Sequence, residues 1–162
     1  MRDYVPYDYA IIRLVPKVER EEFVNVGVIV SCPTRGFLEA QIVLDEPRLR
    51  ALDATLDIAT IRAHLATIQA VCTGGEQAGP LGQLSQRERF HWLVAPRSTI
   101  IQTSPVHTGL CQNPCTVLAY LVDRMVRPAR AEAATTQEHL ERGGKASAEW
   151  SHRPCDADTK RL

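Results

Sequence analysis

Apolar and polar positions alternate with a period of two in three consecutive stretches near the start of the chain. In Tyr7–Val15, Tyr9, Ile11 and Arg13 share one face and Ala10, Ile12 and Leu14 the other, which predicts a strand covered on both sides. Phe23–Cys32 repeats the period. Phe23, Asn25, Gly27 and Ile29 fall on one face, and Val24, Val26, Val28 and Val30 on the other, so the valine face is expected to be core along its whole length. Phe37–Val43 sets Glu39 and Gln41 against Leu38, Ala40 and Ile42, a strand with one solvated face. The short links at Pro16–Glu22 and Pro33–Gly36 make two successive antiparallel hairpins the simplest pairing.

The period then lengthens to that of a helix. Asp45-Glu46-Pro47 supplies an acidic residue and a proline for a short helix reaching about Ala54. Leu56–Val71 reads as a helix, with Ile58, Ile61, Leu65, Ile68 and Cys72 recurring at helical spacing and Asp57 able to cap it. Thr73–Leu84, broken by Gly74-Gly75, Gly79-Pro80 and Gly82, reads as a loop; it lacks the Walker spacing that cradles a nucleotide phosphate. Ser85-Gln86-Arg87-Glu88 is a capping box for a helix over Gln86–Val94. The β-branched run Thr99–Thr103 predicts a fourth strand, and Ser104–Leu110 a loop around His107. Asn113-Pro114 opens a last helix, Cys115–Val126, with an apolar stripe of Leu118, Leu121, Val122 and Met125. Strands come first and helices later, so the expected class is α+β, with α/β as the alternative. It is a mainly antiparallel sheet of about four strands flanked by three or four helices. Residues 1–127 are expected to form this one domain. Residues 128–162 hold few large apolar side chains and are expected to be a disordered or loosely attached tail, with Ala131–Leu140 its one helical candidate.

Composition narrows function mainly by exclusion. The 162 residues are 44% apolar and 23% charged with a formal net charge of zero, so no overall field draws the chain to nucleic acid or an anionic membrane. Nucleic-acid binding is the weakest functional reading; the local excess of Arg87, Arg89, Arg97, Arg124 and Arg127 over Glu88 and Asp123, near Phe90 and Trp92, is what supports it. No signal-peptide pattern and no apolar run of membrane-spanning length occurs, which makes a cytoplasmic location the expectation. Five cysteines, an odd count at irregular spacing, do not read as a disulfide framework, and Cys32 and Cys72 read as small buried hydrophobes. His107, Cys111 and Cys115 do not share a helical face, because Gly109 and Pro114 interrupt them, so neither metal nor cofactor is expected.

Two polar groups remain as candidates for chemistry. The first is Glu19, Arg20, Glu22 and Asn25, with Arg13 near across the hairpin; paired carboxylates beside an arginine suit acid–base work or the holding of a divalent metal. The second is Arg97 and Ser98 with Gln102, Ser104 and His107, where arginine and hydroxyls suit a phosphate or carboxylate and histidine suits a general base. No nucleophile-elbow pattern surrounds either serine. Solvated turns and satisfied loop residues are the ordinary alternative for both groups.

Four strings, in order along the chain, carry a resemblance. They are Tyr9–Pro16, Glu19–Val28, Arg89-Phe90-x-Trp92-Leu93-x-Ala95–Thr99 and Pro105-Val106-His107-x-Gly109-Leu110. Over about residues 7–127 the chain resembles the bacterial domain-of-unknown-function family 3037 (DUF3037). That family brings no catalytic or binding residues to carry over. Its members are often encoded beside a protein resembling HipA-type kinases, so the resemblance implies a HipA-like kinase as partner. The leading expectation is a non-enzymatic accessory or protein-binding module; a small enzyme or nucleotide- or anion-binding protein is the alternative.

Overall fold

The computed structural model describes residues 3–129. The expected tail at 128–162, with its helical candidate at 131–140, lies almost wholly outside them.

Five strands and four α-helices make an α+β fold among these residues. The strands are β1 (Val5–Leu14), β2 (Val24–Cys32), β3 (Phe37–Ile42), β4 (Ile101–Thr103) and β5 (His107–Cys111). The helices are α1 (Glu46–Leu52), α2 (Ile58–Thr73), α3 (Gln86–Val94) and α4 (Pro114–Met125). All pairings are antiparallel, in the order β3-β2-β1, and β1 then pairs with both β4 and β5. The helices begin where the sequence signals them. Asp45, Asp57 and Asn113 accept from the backbone N–H of Arg48, Thr60 and Cys115, and Ser85 and Glu88 close a capping box.

The sheet count differs from the expected four because His107–Cys111 is a strand rather than a loop. Pro105 and Gly109 carry turn signals, but the N-terminal half of β1 offers a free edge, and Tyr9 pairs with His107 through to Val5 with Cys111. Between β4 and β5 the edge is interrupted at Ser104–Val106. Ser104, which is buried, repairs the ladder there: its N–H donates to the Ile11 carbonyl (2.8 Å) and its Oγ accepts from the Ile11 N–H (2.8 Å). A side chain thus replaces a missing strand partner. Thr73–Leu84 likewise holds 3-10 turns over Glu76–Gln83 where a plain loop is expected.

The sheet has a core on each face. Ile12, Leu14, Ile29 and Leu38 pack against Leu49 of α1, Ile61 and Leu65 of α2, and Phe90 and Leu93 of α3. On the other side Val28 and Val30 pack under Leu118, Leu121 and Val122 of α4. The valine run therefore does not lie on one face, contrary to its alternation: Val24 and Val26 belong to the first core, Val28 and Val30 to the second. The cause is a β-bulge. Ile12 pairs with Gly27 but Arg13 pairs with Asn25, so Val26 is an extra residue in β2 and the pleat changes phase there. On the α4 face this leaves Arg13 and Asn25 side by side.

Candidate functional site

Arg13 stands near the C-terminal end of β1, on the sheet face that α4 covers, directly opposite Asn25 on β2 and Gln102 on β4. α4 ends before reaching it, and Arg13 lines a pocket of about 360 Å³ with Val15, Val18, Glu21, Phe23, Ser98 and Gln102. Its guanidinium lies over the Phe23 ring, 4.4 Å from the centroid. Phe23, just before β2, is 45% exposed. Arg13 forms no ion pair among the described residues, and its Nε is buried without a hydrogen-bond partner. A half-buried cation with a desolvated donor is a cost that an incoming anion would offset.

The remaining lining is chosen by local geometry. Segment 97–100 leads into β4, and residues 97–102 divide between two pockets. Ser98 and Gln102 line the Arg13 pocket, whereas Arg97, Thr99, Ile100 and Ile101 line a second pocket beneath α2 and α3. Gln102 donates its amide to the Thr99 carbonyl at 2.9 Å, which leaves its Oε1 as an acceptor beside Arg13. The Ser98 hydroxyl is exposed. The site thus offers donors from Arg13 and Ser98 and acceptors from Gln102 and Glu21.

Glu21 holds the one non-glycine positive φ among the described residues (φ 54°, ψ 16°), where it ends the 3-10 turn Val18–Arg20. A side chain with Cβ is disfavoured there by roughly 1 kcal/mol. Glu21→Gly is therefore expected to raise stability by about 0.5 kcal/mol, the relief exceeding the extra chain entropy of glycine. The midpoint of a urea titration measures this; an unchanged or lower midpoint contradicts it.

The sequence-predicted residues separate into different places. Arg13 and Ser98 share the pocket just described. Glu22 is ion-paired with Arg20, its Oε1 accepting from Nε at 3.0 Å, in another hollow with Lys17 and Asp53. Glu19 is exposed in the 3-10 turn. Asn25 holds the end of α4 in place. Its amide donates to the Met125 carbonyl at 2.9 Å, and Arg48 donates to the Val126 carbonyl at 3.3 Å, so both satisfy that helix terminus. Asn25 Oδ1 is buried and unpartnered beside Arg13. His107 is exposed on β5, its ring 5.2 Å from that of Tyr9. Tyr9 is four residues from Arg13, roughly 13 Å along a strand. Arg97 is on the opposite face of the sheet, with one N–H donated to the Trp92 carbonyl (2.7 Å) and its guanidinium over the Trp92 ring. Phe23, Val18 and Glu21 are pocket residues that the sequence does not single out.

Nucleophilic chemistry has little to work with here. No histidine lines the Ser98 pocket. Burial pushes the Cys72 thiol up to about 12, and burial followed by the neighbouring Cys32 raises that of Cys111, so these sulfurs are protonated near neutrality. No helix among the described residues is long and apolar enough to cross a membrane.

No curated protein and no solved structure matches the chain. Residues 9–126 match the profile of the family described as "Protein of unknown function (DUF3037)". With that match running from within β1 to the end of α4, over most of its length, the chain belongs to the DUF3037 family.

Proposed function

We propose that the domain is a non-enzymatic binding module that takes an anionic group, carboxylate or phosphate, in the Arg13 pocket. One observation carries this reading. A half-buried arginine is stacked on Phe23, faces an open pocket and has no acidic partner among the described residues. Guanidinium groups bind such anions through paired N–H donors, and the Ser98 hydroxyl is placed to add a third. Gln102 Oε1 and Glu21 accept from any donor on the same ligand. The scattering of His107, Glu22 and Arg97 away from Ser98 favours binding over acid–base catalysis. The partner is a HipA-like kinase, a reading supported by the family resemblance alone.

Inorganic phosphate and citrate, each tested against chloride at equal ionic strength, are expected to raise the melting temperature in a saturable way. Arg13→Gln should weaken this at least about tenfold, and Ser98→Ala by a smaller factor, while Arg97→Gln leaves it unchanged. A shift that survives Arg13→Gln contradicts the proposal. Co-expression with the kinase tests the partner separately: the complex should be recovered with the wild type and lost with Arg13→Gln.

A further inference from the structure

The opposite face of the sheet carries a second site of different chemistry. A pocket of about 390 Å³ opens between α2, α3 and β4. That is at the lower end of the roughly 300–1,000 Å³ typical of small-molecule sites. Its body is apolar: Ile68 of α2, Ile101 of β4 and the Trp92 ring of α3, with Ile100 47% exposed at the mouth. Its polar groups are Arg97 and His64 with the hydroxyls of Thr67 and Thr99, and no acidic residue lines it. Arg97 is fixed by the Trp92 carbonyl and the Trp92 ring, so it is oriented without being neutralised. It makes no ion pair among the described residues.

We infer that this pocket binds a small amphipathic carboxylate, a medium-chain or aryl acid, with its apolar body against Ile68, Ile101 and Trp92 and its carboxylate on Arg97. Charge complementarity selects an anion, and the apolar walls select a tail rather than a bare ion. An extended peptide adding to the β4 edge is the other occupant such a place could take, and the edge disfavours it. The bonds from Val15 N to Ile100 O and from Ser104 N to Ile11 O turn the even-numbered backbone groups of β4 toward β1, so the odd-numbered ones face outward. Two of these outward carbonyls, those of Thr99 and Ile101, already have partners within the segment. The Thr99 hydroxyl donates to Ile101 O at 2.7 Å, and Gln102 Nε2 donates to Thr99 O at 2.9 Å. An edge capped by its own side chains offers an incoming strand few acceptors.

The test uses octanoate and octanamide on the full chain. Trp92 is followed by fluorescence in a Trp150→Phe background, which leaves it the sole tryptophan. Octanoate is expected to change Trp92 emission saturably and to bind at least about tenfold more tightly than octanamide, the difference a charge-assisted contact supplies. This comparison needs no change to the pocket. Arg97→Gln should remove the preference for the acid while retaining weak binding of both compounds, and Arg13→Gln should leave the titration unchanged. Equal affinity for acid and amide, no saturable response, or loss of the response in Arg13→Gln each overturns the inference. The last outcome would place the ligand in the Arg13 pocket instead.

Discussion

Gly27→Ala is expected to lower the stability of the domain by roughly 2–3 kcal/mol, and Gly27→Val to leave it largely unfolded. A Cβ at position 27 would stand 2.7 Å from the Gln41 carbonyl oxygen, 3.1 Å from Ile12 Cδ1 and 3.2 Å from Ile42 Cγ1. The two isoleucine carbons can give way by rotation. The carbonyl cannot, because it belongs to the backbone ladder between β2 and β3. Relief requires the central strand to move away from its neighbour, and a domain of this size has only about 5–15 kcal/mol of total stability to lose. Gly36→Ala is the control. Position 36 also lacks a side chain, but a Cβ there meets nothing within 4 Å, and its φ of 61° makes backbone strain the only cost, about 1 kcal/mol. Urea titrations of both alanine variants separate contact from conformation. If Gly27→Ala costs no more than Gly36→Ala, close strand approach is not why glycine stands in β2.

The same glycine lies beside the point where reading by pattern fails. The first three strands, their two antiparallel hairpins and the helix starts follow from local signals: alternation, proline, and the capping aspartates, serine and asparagine. The faces of β2 do not. Strict alternation puts Val24, Val26, Val28 and Val30 together, yet one inserted residue in a bulge moves the first pair to the α2 side and the second to the α4 side. Both assignments bury four valines, so hydrophobicity cannot distinguish them. Glycine within a strand is the sole hint. β5 is hidden for a related reason. Its pairing energy comes from a β1 edge about a hundred residues earlier in the chain, which no local window contains.

The site is legible in part for the same physical reason. Arg13 is conspicuous in sequence because a charge within a strand apolar on both faces demands a partner. Ser98 is conspicuous too, but its sequence neighbour is Arg97 rather than Arg13. The pair lies in the irregular segment just before β4, and that segment divides it between two pockets. Asn25 carries the signature of a ligand-binding residue, a polar amide in a buried strand. Its amide instead closes the end of α4, a contact across a hundred residues of sequence. Phe23 reads in sequence as part of β2, and its use as the platform under Arg13 depends on the chain turning at Glu21.

Arg89→Ala is expected to cost about 2–4 kcal/mol, although Arg89 is a half-buried arginine with no acidic partner among the described residues, as Arg13 is. The difference lies in what its guanidinium meets. Nη1 donates to the carbonyls of Val71 (2.8 Å) and Cys72 (2.6 Å), and Nε to that of Leu84 (3.2 Å). Val71 and Cys72 are in the last turn of α2, where carbonyls have no partner within the helix and a positive charge is favoured. Both residues are buried, so removing the arginine leaves acceptors that water reaches poorly. Arg89→Lys keeps the charge but presents a single ammonium in place of the planar fork, and is expected to recover less than half of the loss. Gly74 supplies an internal check. A Cβ there would lie 2.8 Å from Arg89 Nη1, so Gly74→Ala displaces the guanidinium in the wild type but meets no such obstacle once Arg89 is alanine. The two substitutions should therefore be sub-additive by roughly 1 kcal/mol or more in a double-mutant cycle, well outside the deviation of independent sites. Additive costs would mean that Arg89 contributes through its charge alone, without the fixed geometry at the end of α2, and Arg89→Lys would then match the wild type.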